Sequence, residues 1–212
     1  MKNRGCFFLL PLLALAGNAN AVLAQRSALQ VQVYDYAGLS PAALHQFIAR
    51  TQAILAGSGV SLEVDACKRG ALLCESHTGS SRQIVIRVIS DTGKTRTKDV
   101  RLDTLGQSIA GPDGGTYATL FLKPVGDTAS EESLPRTIVL AYAAAHEIGH
   151  LLLGEAHTAE GLMKAYWNAD DFLAMAQNRF HFSPAETREL ATRYGTARRG
   201  EGGADTDLAI RN

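Results

Sequence analysis

One long apolar segment constrains this chain more than any other: residues 133–154 read SLPRTIVLAYAAAHEIGHLLLG. Ser133 is a plausible N-cap, Pro135 falls in the first helical turn, and Gly154 is a typical helix stop. Between these signals the predicted helix is apolar almost all round, which is typical of a helix buried on every side. We therefore expect this helix to lie at the centre of the fold.

The central helix carries three polar side chains, His146, Glu147 and His150. The two histidines are four residues apart, so both project from one face and can share a metal ion. Glu147 lies about 100° round the helix, within reach of a metal-bound water without ligating the metal itself. A buried histidine is often only a hydrogen-bonded core residue, but three polar groups in an apolar helix need partners. A metal ion would supply them.

A third ligand is available just beyond the helix. Gly154 turns the chain back, so that His157 can approach the same ion from a loop. A catalytic zinc takes three protein ligands and leaves one position open. Three neutral histidines leave the full charge on zinc, which lowers the pKa of its water to about 7 and polarises a carbonyl beside it. The pattern predicts one catalytic zinc ion and attack by water on a carbonyl carbon.

The stretch HEIGHLLLGEAHTAEGLM resembles the zinc motif of the metzincins, HExxHxxGxxH followed by a methionine turn. The closeness of GLM, ending at Met163, to the third histidine is most similar to matrixins and to small exported bacterial metzincin-like proteins. The resemblance implies a zinc endopeptidase, with Glu147 as general base and later proton donor, and with Met163 beneath the metal. It also implies that the strand before the helix, at about 115–122, binds the substrate backbone as an added strand.

The spacing of the third ligand departs from that motif. Gly154 lies four residues after His150 and His157 seven, whereas the motif places them three and six residues after it. The helix is therefore expected to run one residue further before it breaks. Three acids are the alternative third ligands: Glu155, Glu160 and Asp170.

Two residues after the zinc motif have both a functional and a structural interpretation. Met163 either belongs to a methionine turn or is simply a core residue, and in neither case is it a zinc ligand. Tyr166 is a candidate hydrogen-bond donor to the oxyanion, as a tyrosine near the methionine turn is in some metzincins. The alternative is that Tyr166 only packs beside Trp167.

The rest of the chain predicts a layered domain. Leu29, Val31 and Val33 alternate with polar residues, as in a half-buried strand. A backing helix should follow, with Ser40 as N-cap and Gly57 as stop. The further predicted elements are strands at 60–64 and 82–90, a polar, turn-rich region at 91–115, an edge strand at about 115–122, and a C-terminal helix capped by Ser183 and Glu186. With the resemblance, these elements predict an α+β (α/β) zincin or metzincin-like fold, in which a mixed twisted sheet packs with a backing helix, a central active-site helix and a C-terminal helix.

The two ends of the chain are expected to lie outside this domain, which should span 25–195. Residues 1–24 have the basic, apolar and small-residue regions of a secretory signal peptide, with cleavage readable after Ala21 or Ala24. Its apolar run is too short to span a membrane. We therefore expect a secreted or periplasmic protein without stable membrane insertion after cleavage. Residues 196–212 are rich in Gly, Arg and Asp and are predicted to be disordered.

Cys67 and Cys74 are seven positions apart in the exported part of the chain. In an oxidising compartment such a pair is most simply a disulfide that closes a small loop. The alternative is two thiols that ligate metal, but only His77 is close enough to add a further ligand. The sequence therefore favours the disulfide.

The balance of basic and acidic residues indicates which classes of partner to expect. The chain has 21 basic and 21 acidic residues spread along its length, so nothing predicts binding to nucleic acid or to an anionic membrane. We expect a monomer that acts on a peptide or protein substrate. Two alternatives stay open: a zinc hydrolase that cuts another amide, such as cell-wall peptide, and a zinc-stabilised binding protein without turnover. Glu147 argues against the binding protein, because a structural site needs no base and usually closes with four protein ligands.

Overall fold

The computed structural model describes residues 28–67, 83–90, 104–111 and 114–195. The predicted signal peptide, Cys74 and residues 196–212 lie outside the described residues, so the predictions on them stay predictions. Five strands and five helices follow in chain order: β1 (Leu29–Asp35), α1 (Pro41–Gly57), β2 (Leu62–Cys67), β3 (Gln83–Ile89), β4 (Gly106–Gly111), β5 (Gly114–Phe121), α2 (Leu122–Glu131), α3 (Arg136–Leu153), α4 (Ala169–Ala176) and α5 (Pro184–Tyr194).

The strands form one mixed sheet in the order β2-β1-β3-β5-β4. The pairs β1–β2, β1–β3 and β3–β5 are parallel, whereas β4 runs antiparallel to β5 at one edge. Residues that alternate along the strands, such as Val31 and Val33 in β1 and Ile84 and Ile86 in β3, face one core that also contains the helices. The sheet is therefore mixed, and with the helices it forms the α/β fold that the sequence predicts.

The backing helix α1 forms as its sequence predicts. Ser40 Oγ accepts a hydrogen bond from the backbone N–H of Ala43, and Pro41 occupies the first helical position. Phe47 and Leu55 are buried, and α1 packs against α3. The two helices thus cover the same face of the sheet.

The central helix α3 is buried as predicted, but it begins at Arg136 rather than directly after Ser133. Ser133 has a φ of 54° and lies in the turn after α2, so it cannot cap α3. The helix ends at Leu153, and Gly154, with a φ of 107°, donates its backbone N–H to the carbonyl of His150. A φ in this range favours glycine, which explains the stop. The helix packs against β4 and β5 as well as α1.

Two expectations for the region before α3 are wrong. The turn-rich region 91–115 contains strand β4, and the strand predicted at 115–122 is not an edge strand, because β5 lies between β3 and β4. The glycines that indicate a loop belong to the strands themselves, because Gly111 of β4 pairs with Gly114 of β5. The chain after β5 also forms a helix, α2, although Pro124 and Gly126 disfavour one.

The C-terminal part contains two short helices, α4 and α5. Ser183 accepts a hydrogen bond from the backbone N–H of Glu186, and the Glu186 side chain accepts one from the Ser183 N–H, which is the predicted capping box. Phe172 and Phe182 are buried in the common core. Within the described part of the chain, no helix combines the length and apolarity needed to cross a bilayer.

Candidate metal centre

Three histidine side chains converge below the sheet edge formed by β4. Nε2 of His150 lies 3.0 Å from Nε2 of His146 and 3.2 Å from Nε2 of His157. Together the three rings offer one ligand atom each within 4.8 Å of one another. His146 and His150 come from adjacent turns of α3, and His157 comes from the loop that Gly154 starts.

Backbone carbonyls hold two of the rings from behind. Nδ1 of His146 lies 2.8 Å from the carbonyl oxygen of Leu162, and Nδ1 of His150 lies 3.0 Å from that of Gly154. A carbonyl only accepts, so Nδ1 carries the proton in both rings and Nε2 is left as a lone-pair donor for metal. Lone pairs of His146 and His150 directed at each other at 3.0 Å repel unless a cation lies between them. The donor set therefore fits a metal ion.

The charge state of the two helix histidines also suits a metal site. Burial lowers the pKa of His146 to about 4, although the hydrogen bond to the Leu162 carbonyl opposes this shift. Burial likewise lowers the pKa of His150. Both rings are therefore neutral at neutral pH, which is the form that ligates metal.

The extra residue before Gly154 does not keep the third histidine away. The loop after the helix folds back, because the backbone N–H of Thr158 bonds to the Met163 carbonyl at 3.0 Å. The Thr158 hydroxyl donates to Glu186 Oε1 at 2.8 Å, which ties the loop to α5. His157 is thereby placed in the cluster. The alternative acids are not in the three-residue group, whose members are His146, His150 and His157.

The turn GLM supports the cluster from below. Met163 is buried beneath α3, where Gly149 leaves room for its sulfur. The Leu162 carbonyl next to it accepts the hydrogen bond from His146 and, at 3.3 Å, one from Trp167 Nε1. The Trp167 ring packs edge-on against His146, with the ring centroids 5.7 Å apart. The sequence indicates Trp167 only as a packing neighbour of Tyr166, and nothing in its spacing predicts the contact with His146.

Glu147 faces the same cleft and is almost fully buried, with 6% of its surface exposed. Burial raises the pKa of Glu147 to about 7, while a hydrogen bond from the Ser108 side chain opposes the rise. Gly106 of β4 lies so close that a Cβ there would come within 2.8 Å of the Glu147 Cγ and Oε1. Gly106 and Ser108 therefore help to position this carboxyl group, and sequence reasoning missed both because it placed them in a loop.

The cluster lies in a cleft of about 610 Å³. One wall is formed by residues 104–108, which lead into β4 and begin it, and the other by the segment after Met163, at 164–167. Tyr166 lies on the second wall with 63% of its surface exposed. Cys67 lies at the end of β2, and its predicted partner is outside the described residues.

Comparison with known proteins gives likeness in structure rather than in sequence. No protein family model matches the chain, and no curated protein does. An archaemetzincin from Methanopyrus kandleri has a similar structure, with a TM-score of 0.55 at 16% identity, covering 81% of this chain and 98% of the archaemetzincin. Metalloproteinase-II from Bacteroides fragilis is matched with a TM-score of 0.45 at 14% identity, over 81% of this chain and 54% of that protein. The chain therefore shares the archaemetzincin fold, with a three-histidine cluster in its cleft.

Proposed function

We propose that this protein is an exported zinc-dependent endopeptidase, with one zinc ion held by His146, His150 and His157. The observation that carries the proposal is the convergence of three Nε2 atoms beside a buried glutamate. Nε2 of His150 lies 3.0 Å from Nε2 of His146 and 3.2 Å from Nε2 of His157. Three neutral histidines are the donor set of a zinc site that keeps a position open. The archaemetzincin fold is compatible with this assignment.

Zinc bound there would polarise the scissile carbonyl and acidify a water molecule. Glu147 then takes the proton of that water as general base and passes it to the leaving amine as general acid. Burial and the hydrogen bond from the Ser108 side chain hold this carboxyl group beside the histidines. Zinc at the site would favour the charged form of Glu147, which is the form that accepts a proton.

The substrate backbone is proposed to lie along β4, not along the strand at 115–122. Strand β4 ends the sheet among the described strands, and residues 104–108, which include its first three residues, line the cleft that holds the histidines. An extended peptide can add to such an edge through backbone hydrogen bonds. This would hold a peptide carbonyl over the metal site without reading its side chains.

Several finer features belong to the same proposal. Tyr166, which is exposed on the cleft wall, would donate a hydrogen bond to the oxyanion, and Met163 would support the floor as in a matrixin-like methionine turn. A disulfide between Cys67 and Cys74, removal of residues 1–24 and a monomeric state outside the cytoplasm complete it.

Digestion of a peptide library by the zinc-loaded mature protein, with and without chelator, tests this function. We expect cleavage of internal peptide bonds that chelation abolishes and zinc restores. Cleavage of cell-wall peptide amides but not of ordinary peptides would favour the other hydrolase. Loss of fold on chelation with no cleavage of either substrate would favour a zinc-stabilised binding protein.

A further inference from the structure

A second cavity, of about 710 Å³, lies where α1 packs against α3, and none of the three clustered histidines or Glu147 lines it. Its polar lining comes from α1, from α3 and from the loop between α4 and α5. No aspartate or glutamate is among the described residues that line this groove. The side chains with basic or donor character are His45, Gln46, Arg50, Thr137, Tyr142, Asn178 and His181.

Tyr142 gives the groove a donor without a partner. Its side chain is 1% exposed, and its ring packs against Phe180 with the centroids 5.9 Å apart. Among the described residues nothing accepts a hydrogen bond from its hydroxyl, and this oxygen is not among the fully enclosed polar atoms, so it opens onto the groove. Burial raises the pKa of Tyr142, so the hydroxyl stays protonated and remains a donor. An acceptor in the groove would satisfy it.

Arg50 gives the groove a fixed positive charge. Its Nη1 donates to Asn178 Oδ1, which holds the guanidinium in place. A guanidinium has five N–H donors, and Asn178 takes only one of them within the described part of the chain. Arg50 is also close enough to Tyr142 to act on it electrostatically. A cation and a phenol donor therefore line the same groove, and together they suit an acceptor of negative charge.

The groove also has an apolar part, formed by Ile54 and Ile138. We propose that it binds an organic carboxylate, with the carboxylate between Arg50 and the Tyr142 hydroxyl and the apolar body against these isoleucines. Arg pairs with carboxylates through two parallel hydrogen bonds, which a single neutral acceptor does not match. The volume exceeds that of a small inorganic anion, which favours a ligand with a body of its own. This site is independent of the proposed peptidase function.

Calorimetric titration of the zinc-loaded mature protein tests the site with three probes: benzoate, its neutral analogue benzamide, and inorganic phosphate. We expect benzoate to bind with a Kd on the order of 1 mM, the range for a fragment of this size. Benzamide should bind at least about tenfold more weakly because it lacks the charge. Phosphate should also bind more weakly than benzoate, because it has nothing to place against the isoleucines.

Single-residue variants distinguish benzoate binding in this groove from benzoate binding at the metal site. Arg50→Gln and Tyr142→Phe should each weaken benzoate binding, the first by about tenfold or more. Arg188→Gln, which removes a cation of α5 outside the groove, should leave it unchanged. His157→Ala should also retain it, whereas a benzoate bound to zinc would be lost. Equal benzoate affinity in Arg50→Gln and wild type, phosphate binding as tightly as benzoate, or no heat with benzoate would overturn the proposal.

Discussion

Gly149 of α3 lies so close to Met163 that a Cβ on the glycine would overlap the methionine sulfur. The same Cβ would come within 3.0 Å of the Phe182 ring. The helix that carries the two metal-site histidines can therefore pack on the GLM turn only because residue 149 has no side chain. The GLM turn also supplies the Leu162 carbonyl, which orients the His146 ring.

We predict that Gly149→Ala destabilises the protein by about 1–3 kcal/mol, the cost of overpacking a filled core. Because the turn must shift, the hydrogen bond from His146 to Leu162 should be disturbed and zinc affinity should fall. Thermal unfolding and competition with a fluorescent zinc chelator measure the two effects. Gly126→Ala is the matched control, since a Cβ there meets only Arg136 Cδ at 3.5 Å and alanine favours the helix. Equal melting temperatures for the two variants would contradict the packing account.

His157→Ala should remove one of three zinc ligands and weaken zinc binding by more than about 100-fold, beyond the usual effect of an outer hydrogen-bond partner. His181→Ala is the control, because His181 is also exposed but lies outside the cluster. Zinc content after dialysis against a weak chelator measures the difference. If His157→Ala keeps as much zinc as wild type, the third ligand is another residue, with Glu155 on the cleft wall the first to examine.

The parts of the fold that sequence predicts well are those fixed by local chemistry. Ser40 and Pro41 set the start of α1, and Ser183 with Glu186 sets the start of α5. These caps satisfy backbone groups within a few residues, so their pattern is readable without the rest of the chain. Gly154 likewise ends α3 through its own backbone conformation.

The parts that sequence missed depend on distant partners. Strand β4 has the sequence GQSIAG, with a single bulky apolar residue, Ile109, which is exposed. No alternation marks it as a strand, and it forms because its backbone pairs with β5. The sequence places the start of α3 too early, because Pro124 and Gly126 disfavour the preceding helix α2 and Ser133 lies in the turn that follows it. The positions of Gly106 and Ser108 beside Glu147 follow from the same pairing and could not be predicted without it.

In the metal-free protein the raised pKa of Glu147 should make stability depend on pH. Its pKa rises from 4.5 to about 7 on folding, because burial disfavours the charged form. Below pH 4.5 the group is protonated in both the folded and the unfolded protein, so its burial costs no charge desolvation there. The free energy of unfolding then falls as the pH rises through about 7. Glu147→Gln removes this loss. The difference in free energy of unfolding between the variant and wild type should therefore grow in favour of the variant by roughly 3 kcal/mol between pH 4.5 and about 7.

Urea unfolding of both proteins in chelator, at pH values below and above this range, measures the advantage. His146 and His150 have lowered pKa values, so they cost stability as the pH falls, but they do so equally in both proteins and cancel in the difference. An advantage of Glu147→Gln that stays constant with pH would show that burial does not hold this carboxyl group neutral.

Zinc content and peptide turnover, measured on the same preparation of Glu147→Gln, test the central claim most directly. The side chain of Glu147 is not in the metal cluster, so the variant should bind as much zinc as wild type. It lacks the base, so cleavage should fall by about 100-fold or more. Glu189→Gln, an exposed change on α5, controls for the substitution itself. Full zinc with cleavage lost is the predicted result, and full zinc with cleavage intact would contradict the account.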